Sequence, residues 1–228
     1  MIDQGIGQAI ETRVSVDALL AGTAVPFRGS ERSAIAKRAV DGAVIIGPLG
    51  LAGDEQADAD VHGGPGKAIH HYPFEHYAEW RAIAPHPDRL AAVGAFGENI
   101  STNGLTEENV CVGDRFRVGS AIIEVSQPRQ PCWKQAHHLS WPTLPRLMTK
   151  AAKAGWYYRV IEPGTVQAGD ALVLLERPEP DWPVAHVFRL LMHRQPELPR
   201  AEYRALTVLG CLDGGWRAMA QARCAAAI

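Results

Sequence analysis

The sequence predicts a mainly β protein: a β-barrel with a few inserted helices, followed by a small domain of three helices. Three observations carry that expectation. Short apolar or alternating runs bounded by glycine and proline recur from residue 34 to residue 176, as in a strand-rich barrel rather than a doubly wound sheet. Within them, two stretches have helical spacing, one after Pro73 and one after Cys132. Finally, Arg177-Pro178-Glu179-Pro180-Asp181-Trp182-Pro183 places three prolines within six residues, the composition of a stiff linker. The expected domains are therefore residues 1–177 and 184–228.

Composition sets outer limits. A chain of 228 residues with 46% hydrophobic content can bury a real core. A formal charge of −2 gives no electrostatic reason to expect nucleic acid or an anionic membrane surface as partner. The stretch from Met1 to Gly7 lacks a charged segment followed by an apolar one. No apolar run approaches the roughly 18 residues needed to span a bilayer. Cys111, Cys132, Cys211 and Cys224 show no C-x-x-C spacing, so reduced thiols in a cytoplasmic protein are expected.

In chain order, Ala34–Val40 and Ala43–Ile46 flank Asp41-Gly42, a pair suited to a type I′ turn, and together read as a hairpin. Lys37 in that strand reads, by itself, as a solvated side chain. Gly47 to Gln56 is broken by glycine and is expected to be irregular. The acidic run from Asp58 fails as a calcium loop, because its twelfth position is Ile69 rather than a bidentate carboxylate. His62-Gly63-Gly64 is a turn whose backbone N–H groups could approach an anion.

Lys67–Tyr72 has strand character, and Pro73 then opens a helix with Phe74, Tyr77, Ala78 and Arg81 along one side, Trp80 beside them, and Pro85 as its end. His70 and His71 face opposite ways in a strand, and no His-Glu-x-x-His is present, so they read as structural. Ala95–Thr106 is a loop carrying Asn99. Val110–Val118 and Ala121–Val125 read as paired strands around Gly119-Ser120. After Cys132, Ser140 is the expected N-cap of a helix with a Leu144, Leu147, Met148 and Ala151 stripe, and Gly155 its stop. Trp156–Ile161 and Ala171–Glu176 are further strands. Beyond the linker, Val184–His193, Pro199–Leu209 and a segment capped by Asp213 are the three helices.

The chemistry concentrates in Val125-Ser126-Gln127-Pro128-Arg129-Gln130-Pro131-Cys132-Trp133-Lys134. Two prolines force the chain out of the sheet, and it leaves with one thiol between two cations, Arg129 and Lys134. Cations favour the thiolate, which is a nucleophile and a soft metal ligand.

These blocks resemble the MOSC domain family, and within it the YiiM-type branch. The resemblance is carried by Ser33-Ala34-Ile35-Ala36-Lys37, Gly50-Leu51-Ala52-Gly53-Asp54-Glu55-Gln56, Val61-His62-Gly63-Gly64-Pro65, Phe96-Gly97-Glu98-Asn99, Gly104-Leu105-Thr106, Val112-Gly113-Asp114 and Ser126 through Cys132, in that order. It implies a MOSC-type β-barrel with a C-terminal three-helix domain, binding the molybdenum cofactor (molybdopterin). Cys132 would be the protein ligand of molybdenum and the catalytic residue. Lys37, Arg129 and His62-Gly63-Gly64 would meet the cofactor's phosphate, and Asn99 and Ser126 its pterin. The implied activity is reduction of N-hydroxylated compounds such as hydroxylaminopurine, with electrons from a separate flavin or iron–sulfur reductase; a homodimer is compatible with it. No Gly-x-Gly-x-x-Gly follows a strand, so no built-in nicotinamide or flavin site is expected. The alternative is a carrier that delivers cofactor or sulfur without catalysis. A hydrolase lacks the Gly-x-Ser-x-Gly elbow it would need.

Overall fold

A computed structural model describes residues 12–57, 63–195 and 199–225. In chain order the strands are β1 (Arg13–Ser15), β2 (Ala18–Ala21), β3 (Val25–Arg28), β4 (Glu31–Ser33), β5 (Arg38–Ala39), β6 (Val44–Gly47), β7 (Gly50–Leu51), β8 (Ile69–Pro73), β9 (Ile100–Thr102), β10 (Arg115–Val118), β11 (Ala121–Pro128), β12 (Trp156–Glu162), β13 (Gly164–Val166) and β14 (Ala171–Glu176). The helices are α1 (Glu75–Ile83), α2 (Trp133–His138), α3 (Leu144–Ala151), α4 (Val184–Met192), α5 (Arg200–Val208) and α6 (Gly214–Ala225).

Nine strands form the main sheet in the order β1-β14-β10-β11-β12-β8-β9-β2-β5. All pairs in it are antiparallel except β8 and β9, which run parallel and are joined through α1; a parallel pair requires such a crossover. β13-β6-β7 and β3-β4 form two smaller sheets. Among the described residues β1 and β5 are the two ends of the main sheet and do not pair with each other. Closure into a barrel is therefore not confirmed; the architecture is a long sheet with two satellite sheets.

Between Val110 and Glu176 the strands at Trp156 and Ala171 form where expected, whereas β10 begins only at Arg115, β11 runs past Val125 to Pro128, and β13 is a strand the sequence did not announce. β10 and β11 form the expected hairpin, with Val118 opposite Ala121 across Gly119-Ser120. The 34–46 hairpin does not form. β5 pairs with β2, and β6 pairs with β13 and β7. Gly42 does adopt a positive φ of 76°, so the turn chemistry is satisfied while both flanking strands find longer-range partners. The buried side of α1 is His76, Tyr77 and Trp80, whereas Phe74, Ala78 and Arg81 are exposed. The helix is turned by its polar anchors: Trp80 Nε1 donates to Tyr72 Oη (2.7 Å), and the Tyr77 hydroxyl donates to the buried carboxylate of Glu98. Ser140 does not cap α3. Thr143 precedes that helix, which ends at Ala151 with Ala152 left-handed.

The helices after the prolines form at the expected places and rest on the sheet. Val184 N donates to Val110 O (2.8 Å), and Asp213 N donates to Ser126 O (2.9 Å). Phe188, Leu206, Leu212 and Trp216 join Phe116, Val125 and Tyr158 in one continuous apolar cluster. At roughly 25 cal/mol per Å² of apolar surface removed from water, that shared core is what fixes α6 beside the end of β11.

Candidate functional site

The end of β11 sets the position of the candidate site. Pro128 is the last residue of the β11–β12 ladder, opposite Trp156. Arg129 keeps one more bond, its N donating to Gly155 O (3.0 Å). Gly155 has φ 76°, and a Cβ there would lie 2.1 Å from His71 O; only glycine permits this approach of three strands. Pro131 then ends extended pairing, and Cys132 (φ −126°, ψ 164°) leads directly into α2.

Cys132 stands on the wall of a cavity whose other walls come from distant segments, including Lys37, Asp54, His70, Asn99 and Arg129. Four cations (Lys37, Lys67, Arg129, Lys134) and two carboxylates (Asp54, Glu55) line it. Both carboxylates are committed within the fold. Asp54 accepts from Lys37 Nζ (2.5 Å), Asn99 Nδ2 (2.8 Å) and Gly22 N (2.8 Å). Glu55 accepts from Ala24 N (2.7 Å).

Arg129 has only 5% of its surface exposed, yet its Nε and Nη1 have no hydrogen-bond partner. A guanidinium is always charged; burial opposes that charge while Tyr157, which also accepts a hydrogen bond from it, and Cys132 favour it, and the two buried donors left unpaired still carry a desolvation cost. An anion in the cavity would remove that cost. Lys37 is different. Its side chain is 9% exposed and ion-paired, not solvated as the sequence alone suggests, and burial lowers its pKa even against the raising effect of Asp54. His70 is held neutral: burial first, then the charges of Arg129 and Lys37, keep its pKa well below the ordinary histidine value.

The site residues expected from the sequence separate into groups. Cys132, Arg129, Lys37 and Asn99 share the cavity. Gly63 and Gly64 are not among its lining residues, and His62 lies outside the described residues. Ser126 is buried, with its Oγ 2.6 Å from Gly66 O and 3.0 Å from Tyr157 O, so it ties two wall segments together. Asn99 is similarly engaged: Nδ2 donates to Leu20 O (3.1 Å) as well as to Asp54, and Oδ1 accepts from His70 N (3.0 Å). Asp54 and Tyr157 are lining residues the sequence did not single out, and His70, which it read as structural, lines the cavity as well. Asp54 lies in the Gly50–Gln56 motif, and the one available signal was an acidic residue there.

Among the four thiols, two are chemically quiet. Burial, then the Asp114 carboxylate, pushes Cys111 up to about 11. Burial, then Glu179, pushes Cys211 up to about 11. Among the described residues no group of three or more His, Cys, Asp or Glu could hold a metal ion by itself. A metal on Cys132 would need ligands carried in by its own cofactor. A dithiolene-bound molybdenum whose pterin ends in a phosphate fits this lining: a partly exposed thiol, Cys132, and a buried guanidinium with two unpartnered nitrogens, Arg129, belong to the same cavity. No helix among the described residues is long and apolar enough to cross a membrane.

The family model described as MOSC domain matches residues 58–173. The chain is 52% identical over 145 residues to Protein YiiM of Escherichia coli (strain K12), covering 64% of this chain and 65% of that one. It is 41% identical over 171 residues to a protein named Reductase from Gibberella moniliformis, covering 75% of this chain but 30% of that one. The crystal structure of YiiM from Escherichia coli superposes with a TM-score of 0.78 at 35% identity, covering 95% of this chain and 94% of that one. The matched part is thus less than two thirds of the first two relatives' length. With the family match spanning half the sequence, the chain belongs to the MOSC domain family.

Proposed function

We propose that this chain binds the molybdenum cofactor at Cys132 and reduces N-hydroxylated compounds with electrons from a separate flavin or iron–sulfur reductase. The overall change is R–NHOH + 2 e⁻ + 2 H⁺ → R–NH₂ + H₂O. The single observation that carries the reading is Arg129, a buried guanidinium with two unpartnered nitrogens, in one cavity with an accessible thiol. Family membership and a relative named reductase support it.

When bound, the cofactor supplies the two-electron redox chemistry. The chain's own residues supply the rest. Cys132 would supply the soft sulfur ligand from the cavity wall. Arg129 offers Nε and Nη1 to the phosphate as charge-assisted donors. Asp54 orients Lys37 and Asn99 and leaves the wall net cationic. Neutral His70 has no charge to repel the cations beside it. The test is analysis of protein made in a cofactor-competent host. The expected result is about one molybdenum and one pterin phosphate per chain, with turnover of a hydroxylamine under a chemical reductant. Loaded protein with no turnover would leave a carrier; protein without molybdenum would remove the proposal altogether.

A further inference from the structure

The turn between α3 and β12 offers three successive carbonyls to the residues around the cavity. Lys153 O accepts from Tyr72 Oη (3.3 Å), His70 Nε2 lies 3.4 Å from Ala154 O, and Gly155 O accepts from Arg129 N (3.0 Å). His70 and Arg129 both line the cavity. The N–H of the same turn goes to Glu107, which does not line it. Glu107 Oε1 accepts from Gly155 N (2.7 Å), and its Oε2 lies 2.7 Å from His76 Nε2. Its backbone carbonyl accepts from Ala185 N (2.8 Å) in the first turn of α4. Only 3% of Glu107 is exposed. A carboxylate is expensive to bury, and an apolar side chain would fill the same space at lower cost. Gly155 has no side chain to steady it, so its position depends on these backbone bonds.

We infer that Glu107 is the positioning residue for Arg129, acting through Gly155 without touching the anion itself. This rests on the reading of Arg129 as the cation that meets a phosphate. A peptide unit is planar and trans, so its N–H and C=O point opposite ways. Holding Gly155 N–H on Glu107 therefore turns the Ala154 carbonyl towards His70. The next carbonyl, that of Gly155, is then set to receive Arg129 N. Pro128 closes the β11–β12 ladder, so this last bond is what registers the Arg129 backbone against β12. Without the Glu107 carboxylate the Ala154–Gly155 peptide is free to rotate, and the Arg129 donors lose their aim. Hydrogen bonds weaken steeply once donor and acceptor are misaligned.

The test is calorimetric titration of inorganic phosphate into full-length protein from a host that does not make the cofactor. Wild type is compared with Glu107→Gln, Glu107→Met and Leu206→Ala. Leu206 is fully buried in the helical core, so its truncation controls for lost stability alone. In Glu107→Gln, Oε1 still accepts from Gly155 N, and neutral His76 can accept from the new amide in its other tautomer. Leu206→Ala should bind phosphate as wild type does, and Glu107→Gln within about twofold of it. Glu107→Met should bind about tenfold more weakly, the loss of roughly one charge-assisted bond. If Glu107→Met does not fold, Glu107→Asp, its carboxylate drawn back by one methylene, should weaken binding at least about threefold. Wild-type affinity in the folded Met or Asp variant would make Glu107 a structural residue only and overturn the inference. So would a Gln variant as weak as the Met variant. Phosphate that fails to bind wild type is a separate outcome: it would sink the anion reading of Arg129, and the role of Glu107 with it.

Discussion

Lys37 Nζ lies 2.5 Å from Asp54 Oδ2, and both side chains are almost fully buried. This pair decides which cation of the cavity is available. Lys37 already has a counter-charge, whereas Arg129, hydrogen-bonded to Tyr157, keeps two buried nitrogens without a partner. Breaking a buried pair leaves the other charge uncompensated, at a cost of about 3–5 kcal/mol. Asp54→Asn should therefore lower unfolding free energy by about that amount. Adding Lys37→Met should recover much of it. A double-mutant cycle in urea checks this, and simple additivity of the two single losses would show that the pair is not coupled.

Arg129→Met should behave oppositely in the two states of the site. Without ligand the variant should unfold at the same temperature as wild type or higher, because an unpartnered buried cation is removed. With inorganic phosphate the order should reverse, since charge-assisted bonds contribute about 1.5–3 kcal/mol each. Thermal melts across a phosphate titration measure both. Equal phosphate stabilisation of the two proteins would show that Arg129 does not meet the anion.

Two buried histidines make stability depend on pH. His71 is held by burial at about 3 against an ordinary value of 6.5, between Tyr158 Oη and Thr102 Oγ1, each 3.0 Å away. His70 is lowered in the same direction by burial, then by Arg129. Between these values the unfolded chain binds a proton that the folded chain does not. For His71 the stabilisation is thus complete above pH 6.5 and is lost as pH falls towards 3, at roughly 1.4 kcal/mol per pH unit; His70 acts in the same direction. Urea unfolding at pH 7 and pH 5 should differ, with about 2 kcal/mol of the difference from His71, and His71→Gln should remove that part. A flat profile would mean that the imidazoles are not held neutral by the fold.

Where physical causes were local, the sequence disclosed them. Pro128 and Pro131 flank Arg129 and precede Cys132, so an exit from the sheet carrying the thiol could be read, although the strand runs three residues past the expected Val125 and includes Pro128 itself. The linker prolines and the Asp213 cap announced the three helices. Asp54 could not be found that way: its partners Lys37 and Asn99 are 17 and 45 positions distant. Asn99 was recognised but its role was not, because an amide saturated by Leu20, His70 and Asp54 looks in sequence like one free to hold a ligand. Asp41-Gly42 shows the same limit for the fold. Its turn forms, but β5 and β6 pair with strands elsewhere, and long-range pairing leaves no trace in a dipeptide.

The central claim is that Cys132 holds the metal and that reduction depends on it. The most direct measurement is turnover of an N-hydroxylated substrate by molybdenum-loaded Cys132→Ala, beside Cys111→Ala, with metal content determined for both. Cys132 is only half-buried at the start of α2, so its truncation should leave the melting temperature close to wild type while turnover falls to background. Cys111→Ala should keep turnover and lose about 1 kcal/mol of stability. Wild-type turnover in fully loaded Cys132→Ala would contradict both the ligand assignment and the activity built on it.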